Sequence, residues 1–339
     1  MSAEDSLRWS GSAFGLSLRS EFPLPGFTRV DGDPDRDRGV ELALSRQPGE
    51  PFSGAERLQE WHYPDGTLGL TIDRERERGY RFFLYGAGVF ELAADGSRVL
   101  LRLEPELEDL WDWRRYLIGQ VLPFAALLHE LEVFHASAVE IDGGAVLLAG
   151  GSGLGKSTLA LNMHLGGAGF LADDSVAIEP AGDGLLAHPA IATAKVREGA
   201  RDLLREDSRG VLGEVVVADE HETRYRVRTV PGPLPLAAVC VLEPGEEPGT
   251  LTASEGKADP WELLGSTFND VVRDPARLQG QLDLCGRIAA EVPFLRVRVG
   301  TRPGPEAADA LAAHIQKLRQ RAHPTVAPRD GRRSSSPNC

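Results

Sequence analysis

Three groups of residues in this chain of 339 could do chemistry together. The first is Gly150-Gly151-Ser152-Gly153-Leu154-Gly155-Lys156-Ser157, which satisfies the spacing G-x-x-x-x-G-K-[ST] and is followed by Thr158. Glycines at these positions let main-chain N–H groups turn inward around a phosphate chain. Lys156 can then reach the outer phosphates as a mobile cation, and Ser157 can give an oxygen to Mg²⁺. The second group is Asp173-Asp174, at the end of the apolar run GFLA. One carboxylate can bind the metal while the other takes a proton from an attacking hydroxyl. Neighbouring side chains of a regular strand face opposite ways, so both can serve one site only if the backbone leaves strand geometry there. The third is His135, upstream in FHASAVEIDGGAVLLAGG. Asp142-Gly143 between two apolar runs signals a two-residue hairpin turn. That register pairs Ile141 with Gly144, Val139 with Val146 and Ser137 with Leu148, and carries His135 opposite Gly150 at the mouth of the loop. A slip of one residue would turn its side chain to the other face.

The elements that must position these residues can be read around them. AVLLAG enters the glycine loop as a buried strand, and KSTLALNMHL leaves it as a helix ended by Gly166-Gly167. A helix N-terminus there adds its dipole to the anion site. GFLADD and SVAIE are expected as strands, AGDG as a turn, and LPLAAVCVL and PFLRVRVG as later strands. Asp259-Pro260 and Asp274-Pro275 each combine an N-cap with Pro at the first helical position. From about residue 133 to 300 the pattern predicts alternating strands and helices, closed by a last helix over about 305–318.

Residues 1–105 read differently, as a β-rich region of short runs between turns: FGLSLRSEF (Phe14 to Phe22), VELAL, LGLTI, YRFFLYG and VLLRLE. Asp31 to Gly39 has a loop composition. Residues 106–132 form a helical connection with Leu110, Trp113, Leu117 and Val121 at helical spacing, kinked or divided at Pro123. Residues 133–318 form the unit that carries the chemistry. Residues 319–339, rich in Arg, Ser and Pro, form a tail without apolar period and are expected to be disordered.

Composition excludes several classes. The net charge of −14 is the wrong sign for a general nucleic-acid binder. No apolar run reaches a membrane span, and the N-terminus shows no secretory signal. Three scattered cysteines, Cys240, Cys285 and Cys339, form neither a metal pattern nor a disulfide framework, which points to a reducing, cytoplasmic setting. His188 either lies near the site or ends a strand. His62, His129, His164, His221, His314 and His323 have no metal spacing. A cation that stabilises charge on a transferred group is expected, and Arg197, Arg201, Arg224, Arg226 and Arg228 are candidates. No LSGGQ-like stretch follows the loop, which argues against a transport ATPase.

Taken together, His135, the loop GGSGLGKS and the pair in FLADD resemble the HPr kinase/phosphorylase superfamily. The resemblance is specific over about residues 133–189 and looser to about 318. The opening GLSLRSEFPLPGF is similar to HPr kinase-like proteins encoded beside peptide-tailoring genes, including lasso-peptide precursor kinases. The resemblance implies an α/β fold: a P-loop domain of the phosphoenolpyruvate carboxykinase/HPr kinase type, preceded by a smaller β-rich domain. It implies transfer of phosphate from ATP to a serine hydroxyl, with Mg²⁺ as cofactor. It gives Lys156 to the β- and γ-phosphates, Ser157 and Asp173 to the metal, Asp174 to proton abstraction, and His135 to the active site. Thr158 stands where the bifunctional enzymes usually carry Glu, and their downstream glycine-rich signature has no copy here. The kinase direction is therefore what the resemblance supports, with a peptide or protein as acceptor. A kinase for a small hydroxylated metabolite and a nucleotide-binding regulator without transfer chemistry are the alternatives. The β-rich N-terminal region is expected to recognise the acceptor or to mediate assembly, including into a homo-oligomer.

Overall fold

The structure, a computed structural model, describes residues 8–29, 38–47, 49, 52–107, 111–206, 210–219, 222–268 and 271–322. The N-terminal region forms one nine-stranded sheet. Its strands are β1 (Trp9–Ala13), β2 (Leu16–Ser20), β3 (Thr28–Arg29), β4 (Gly39–Ser45), β5 (Glu56–His62), β6 (Leu68–Glu75), β7 (Gly79–Leu84), β8 (Gly88–Leu92) and β9 (Arg98–Arg102), in the order β3-β1-β2-β4-β9-β8-β7-β6-β5. The run from Phe14 to Phe22, expected as one strand, forms a strand only over its middle, as β2. Phe14 and Gly15 adopt φ of 56° and 77° and turn the chain between β1 and β2. A non-glycine residue at positive φ gives no compositional sign of a turn, so alternation alone misread it. β5 was not expected at all, because ERLQEWH is mostly exposed and has no clean apolar alternation.

The helical connection continues past Pro123. α1 (Asp112–Tyr116) runs into a wider π-type turn over Leu117–Val121 and then α2 (Leu122–Leu128), with Pro123 in the first turn of α2. The proline has no N–H to donate, and the widened turn before it relieves the clash its ring would cause. Trp113, Leu117 and Val121 are buried as their spacing predicts, whereas Leu110 lies outside the described residues. Phe124 of α2 sits edge-on to Tyr80 at 4.8 Å and to Phe82 at 5.1 Å, which pins the connection to β7. Each such pair is worth about 0.5–1.5 kcal/mol beyond its buried area.

A second sheet positions the chemistry. It contains β10 (Glu132–Phe134), β11 (Ser137–Ile141), β12 (Gly144–Gly150), β13 (Gly169–Ala172), β14 (Val176–Ala181), β15 (Gly184–His188) and β19 (Leu234–Pro244), in the order β10-β14-β15-β19-β12-β11-β13. β20 (Leu251–Gly256) and β21 (Phe294–Val299) extend it beside β19. α3 (Lys156–Leu165) connects β12 to β13. A small third sheet, β16 (Thr193–Arg197), β17 (Leu212–Ala218) and β18 (Glu222–Val227), has the order β16-β18-β17. α4 (Pro260–Leu264) and α5 (Pro275–Glu291) begin at Asp259 and Asp274, whose side chains accept from the N–H groups of Trp261 and Arg277. α6 (Pro305–Ala322) packs with α3 over β11, β12, β19 and β21. On the opposite face of that sheet, one continuous apolar cluster joins it to the helical connection and the N-terminal sheet.

The α/β class stands, but the strict alternation expected between 133 and 300 does not. From β13 to β19 the chain makes strands joined by turns and one short 3₁₀ turn, Arg201–Leu203. The turn expected at AGDG joins β14 to β15 as read from the sequence, and β16 to β18 then pair antiparallel among themselves, leaving no crossover for a helix. The last helix runs past the expected limit at 318, and Arg319, assigned to the tail, donates from its guanidinium to the Ile141 carbonyl. The expected tail from residue 323 onward, most of the expected loop at Asp31 to Gly39, and His221 and His323 lie outside the described residues. Among the described residues, no helix is long and apolar enough to cross a membrane.

Candidate active site

β12 delivers the chain into the glycine loop from a fully buried position between β11 and β19. Two glycines are required by geometry. Gly150 has φ of 130°, and a Cβ there would lie 2.7 Å from the Leu242 carbonyl oxygen. Gly155, at φ 87°, would place a Cβ 2.6 Å from the Pro303 ring. Gly155 is also the N-cap of α3 and supplies no side-chain cap, so the first N–H groups of the helix remain open toward the loop. Lys156 is buried, and its Nζ donates to the carbonyls of Gly150 at 2.8 Å and Gly151 at 3.1 Å. Burial lowers its pKa, opposed by the charges of Asp174 and Asp173. Leu154 turns away and packs on the core beneath the loop.

A cleft of about 560 Å³ opens over this loop. Ser152, Gly153, Gly155, Lys156, Ser157 and Thr158 form one side of it, and His135, Asp174, Lys195, Arg197 and Arg224 face them. Arg115 from α1 and Arg302 also line it. Such a cleft, rich in cations and closed by a helix N-terminus, suits a phosphate chain.

The aspartates leave strand geometry as their joint use requires. β13 ends at Ala172, and Asp174 takes a left-handed φ of 68°. Their surroundings then diverge. Asp173 accepts from Ser137 Oγ at 3.1 Å and from the Lys195 N–H at 3.0 Å, and Ser157 hydrogen-bonds it as well. Loss of water and the adjacent Asp174 charge push its pKa up. Asp174 forms an ion pair with Lys195 Nζ. Burial works against its ionisation, but Lys195, with Arg224 and His135, outweighs it and holds the carboxyl below its ordinary range.

His135 opens onto the cleft, though by a different route from the one its register predicts. The β11–β12 ladder has the expected pairs and stops at Ser137–Leu148. β10 instead pairs with β14, and His135 falls in the gap between β10 and β11, where its N–H donates to the Ser266 carbonyl at 2.7 Å. The break, not continued pairing with Gly150, aims the ring at the Asp174 main chain. Partial loss of water and the nearby Lys156 charge lower its pKa, which favours the neutral imidazole.

Of the five candidate arginines, Arg197 and Arg224 line the cleft and Arg201, Arg226 and Arg228 do not. Arg226 is engaged with Glu214. Arg224 is buried and braced by Glu222 and Thr193. His188 ends β15, where it bonds Glu179 at 2.8 Å away from the cleft. Sequence reasoning missed Lys195, Ser137 and Arg115. Lys195 had a signal: it shares a face of β16 with Arg197 while the apolar Ala194 and Val196 point inward. Arg115 reaches the cleft from a separate helix, which no local spacing reveals.

The donors present suit Mg²⁺ together with a nucleotide. Among the described residues, no cluster of three or more His, Cys, Asp or Glu is arranged to hold a metal. Hard oxygen donors from Ser157 and one or two carboxylates are, however, what Mg²⁺ bound to phosphates requires. Both are at hand beside an open helix N-terminus.

The sequence is similar to curated proteins over one segment. Over 71 residues, 21% of this chain, it is 44% identical to the HPr kinase/phosphorylase of Chlorobium limicola and 41% identical to that of Chlorobium phaeobacteroides. Over that stretch the chain is similar to HPr kinase/phosphorylases. The matched segment spans about a fifth of the length of those relatives. No family model matches. The solved HPr(Ser) kinase/phosphatase of Coxiella burnetii aligns with 56% of this chain and 97% of its own, at 12% identity and a TM-score of 0.29.

Proposed function

We propose that this HPr kinase-like chain transfers the γ-phosphate of ATP to a hydroxyl, with Ser of a peptide or protein as acceptor. A precursor peptide of a ribosomal natural product is one such acceptor. The observation that carries the reading is the convergence of Lys156, Ser157, Asp174, Lys195 and His135 on one cleft over an open helix N-terminus. The HPr kinase/phosphorylase relatives support it.

When bound, Mg²⁺-ATP supplies the phosphoryl group and the metal neutralises its charge. The loop N–H groups from Gly151 to Thr158 and Lys156 would hold the phosphates, and Ser157 and Asp173 would hold the metal. Asp174 orients the acceptor hydroxyl and takes its proton, which requires the Lys195 contact to loosen as the acceptor enters. Lys195 and Arg224 then offset charge at the transferred group. Neutral His135 donates or accepts one hydrogen bond at the same position. Catalysis is thus positioning and charge stabilisation.

The test is an acceptor panel. Purified protein with radiolabelled ATP and Mg²⁺ is offered free serine, simple sugars and serine-containing peptides. Transfer to peptides alone is the expected result. Transfer to a sugar or free serine alone would move the reading to a metabolite kinase. Tight ATP binding without transfer to any of them would leave a regulator.

A further inference from the structure

A second cleft, of about 490 Å³, runs away from the first between the N-terminal sheet and the helical connection. Its floor is one face of β6 and β7. Leu70 pairs with Leu84 and Ile72 with Phe82, so all four side chains share that face. Trp61 pairs with Leu70 from β5 and stands at the rim, 49% exposed, edge-on to Tyr63 at 4.5 Å. Phe124 and Phe268 form the facing wall. The two clefts meet: Tyr116, Gln120, His135 and Phe268 line both.

Their chemistry differs sharply. The first cleft is lined by several cations. Among the described residues, no Asp, Glu, Lys or Arg lines the second. Its polar groups include Gln59 and Gln120, whose neutral amides can hydrogen-bond a peptide main chain. A charged metabolite would lose water there and gain no counter-charge from the described residues. An apolar side chain would gain by burial.

We propose that the second cleft is a specificity subsite for a peptide acceptor. It receives an uncharged aromatic or large aliphatic residue next to the serine whose hydroxyl enters the first cleft at His135 and Asp174. This inference rests on the kinase reading. It adds what that reading leaves open, the chemical class of the residue beside the phosphorylated one.

Short capped peptides test it, each with one Ser and with Phe, Leu, Asp or Lys before or after it. Transfer is read from radiolabelled ATP, and binding by calorimetry in a non-hydrolysable ATP analogue. Peptides with Phe or Leu on one side should lead the charged ones in kcat/KM by roughly ten-fold, the scale of one buried aromatic anchor. Trp61→Ala should abolish that lead, and Trp61→Lys should turn the preference toward Asp, both with unchanged affinity for the analogue. Transfer at equal rates to all peptides, or a lead that survives both substitutions, overturns the subsite and leaves the kinase reading intact. Apolar peptides that bind at Trp61 without receiving phosphate overturn the kinase reading and leave the subsite. Neither binding nor transfer with any peptide overturns the subsite.

Discussion

The two clefts that meet at His135 are built in opposite ways. One side of the phosphate-side cleft is a contiguous stretch, Ser152 to Thr158, whose glycines expose main-chain N–H groups at the start of α3. The apolar cleft is made by side chains from β5, β6, β7, α2 and the turn after α4, residues far apart in sequence. A main-chain site tolerates little change of residue type, because the backbone path itself demands glycine at Gly150 and Gly155. A side-chain site on a sheet face can change its preference one residue at a time. The phosphate-side cleft is therefore rigidly specified on its loop side, and the apolar cleft is adjustable.

The largest effect should come from the phosphate-side cleft. Lys156→Ala removes the cation nearest the loop carbonyls and should cut phosphoryl transfer by a factor on the order of 10²–10³. Peptide affinity in the apolar cleft, measured by calorimetry, should stay the same. Loss of both would show that the clefts are one coupled site.

Lys195→Met comes next. It leaves the half-buried Asp174 carboxylate without its ion-pair partner and should cost about 1–3 kcal/mol of stability, the scale of a lost charged hydrogen bond, read as a lower Tm. Transfer should fall as well, and the pKa of Asp174 should rise toward its ordinary range.

The smallest effect concerns the wall between the clefts. Buried Glu132 pairs with Arg277 at 2.5 Å and accepts from Gln281, which also donates to Thr267 of the apolar cleft at 2.6 Å. Burial pushes Glu132 up to about 7 from 4.5, only partly offset by Arg277. The folded state therefore holds this proton between those values while the unfolded state releases it. Its contribution to stability is full below pH 4.5 and declines as pH rises toward 7. Glu132→Gln should flatten that part of the Tm profile. An unchanged profile would remove Glu132 from the account.

The same contrast explains what the sequence disclosed. The strand–loop–helix unit is local, so β12, the glycine loop, α3 and the hairpin register were all legible from spacing and turn chemistry. Position at the cleft was also legible for His135, but not its cause: β10 and β11 pair with different neighbours, and a break of that kind leaves no periodic trace. Lys195 arrives on a small three-stranded sheet whose strands were not singled out in the sequence, whereas Arg224 on the same sheet was among the candidates. Trp61 was invisible as a site residue because β5 is an exposed edge strand with no apolar face of its own. Long-range contacts made the apolar cleft, and single-sequence patterns report local ones.

The central claim is that Asp174 prepares an acceptor hydroxyl for phosphate held over the glycine loop. Single-turnover transfer from ATP to a serine peptide, compared between the unaltered chain and Asp174→Asn with ATP affinity measured in parallel, tests it most directly. The account predicts unchanged or tighter ATP binding and a fall in transfer on the order of 10² or more, the scale of losing a positioned general base. Equal transfer rates in the two proteins would contradict it.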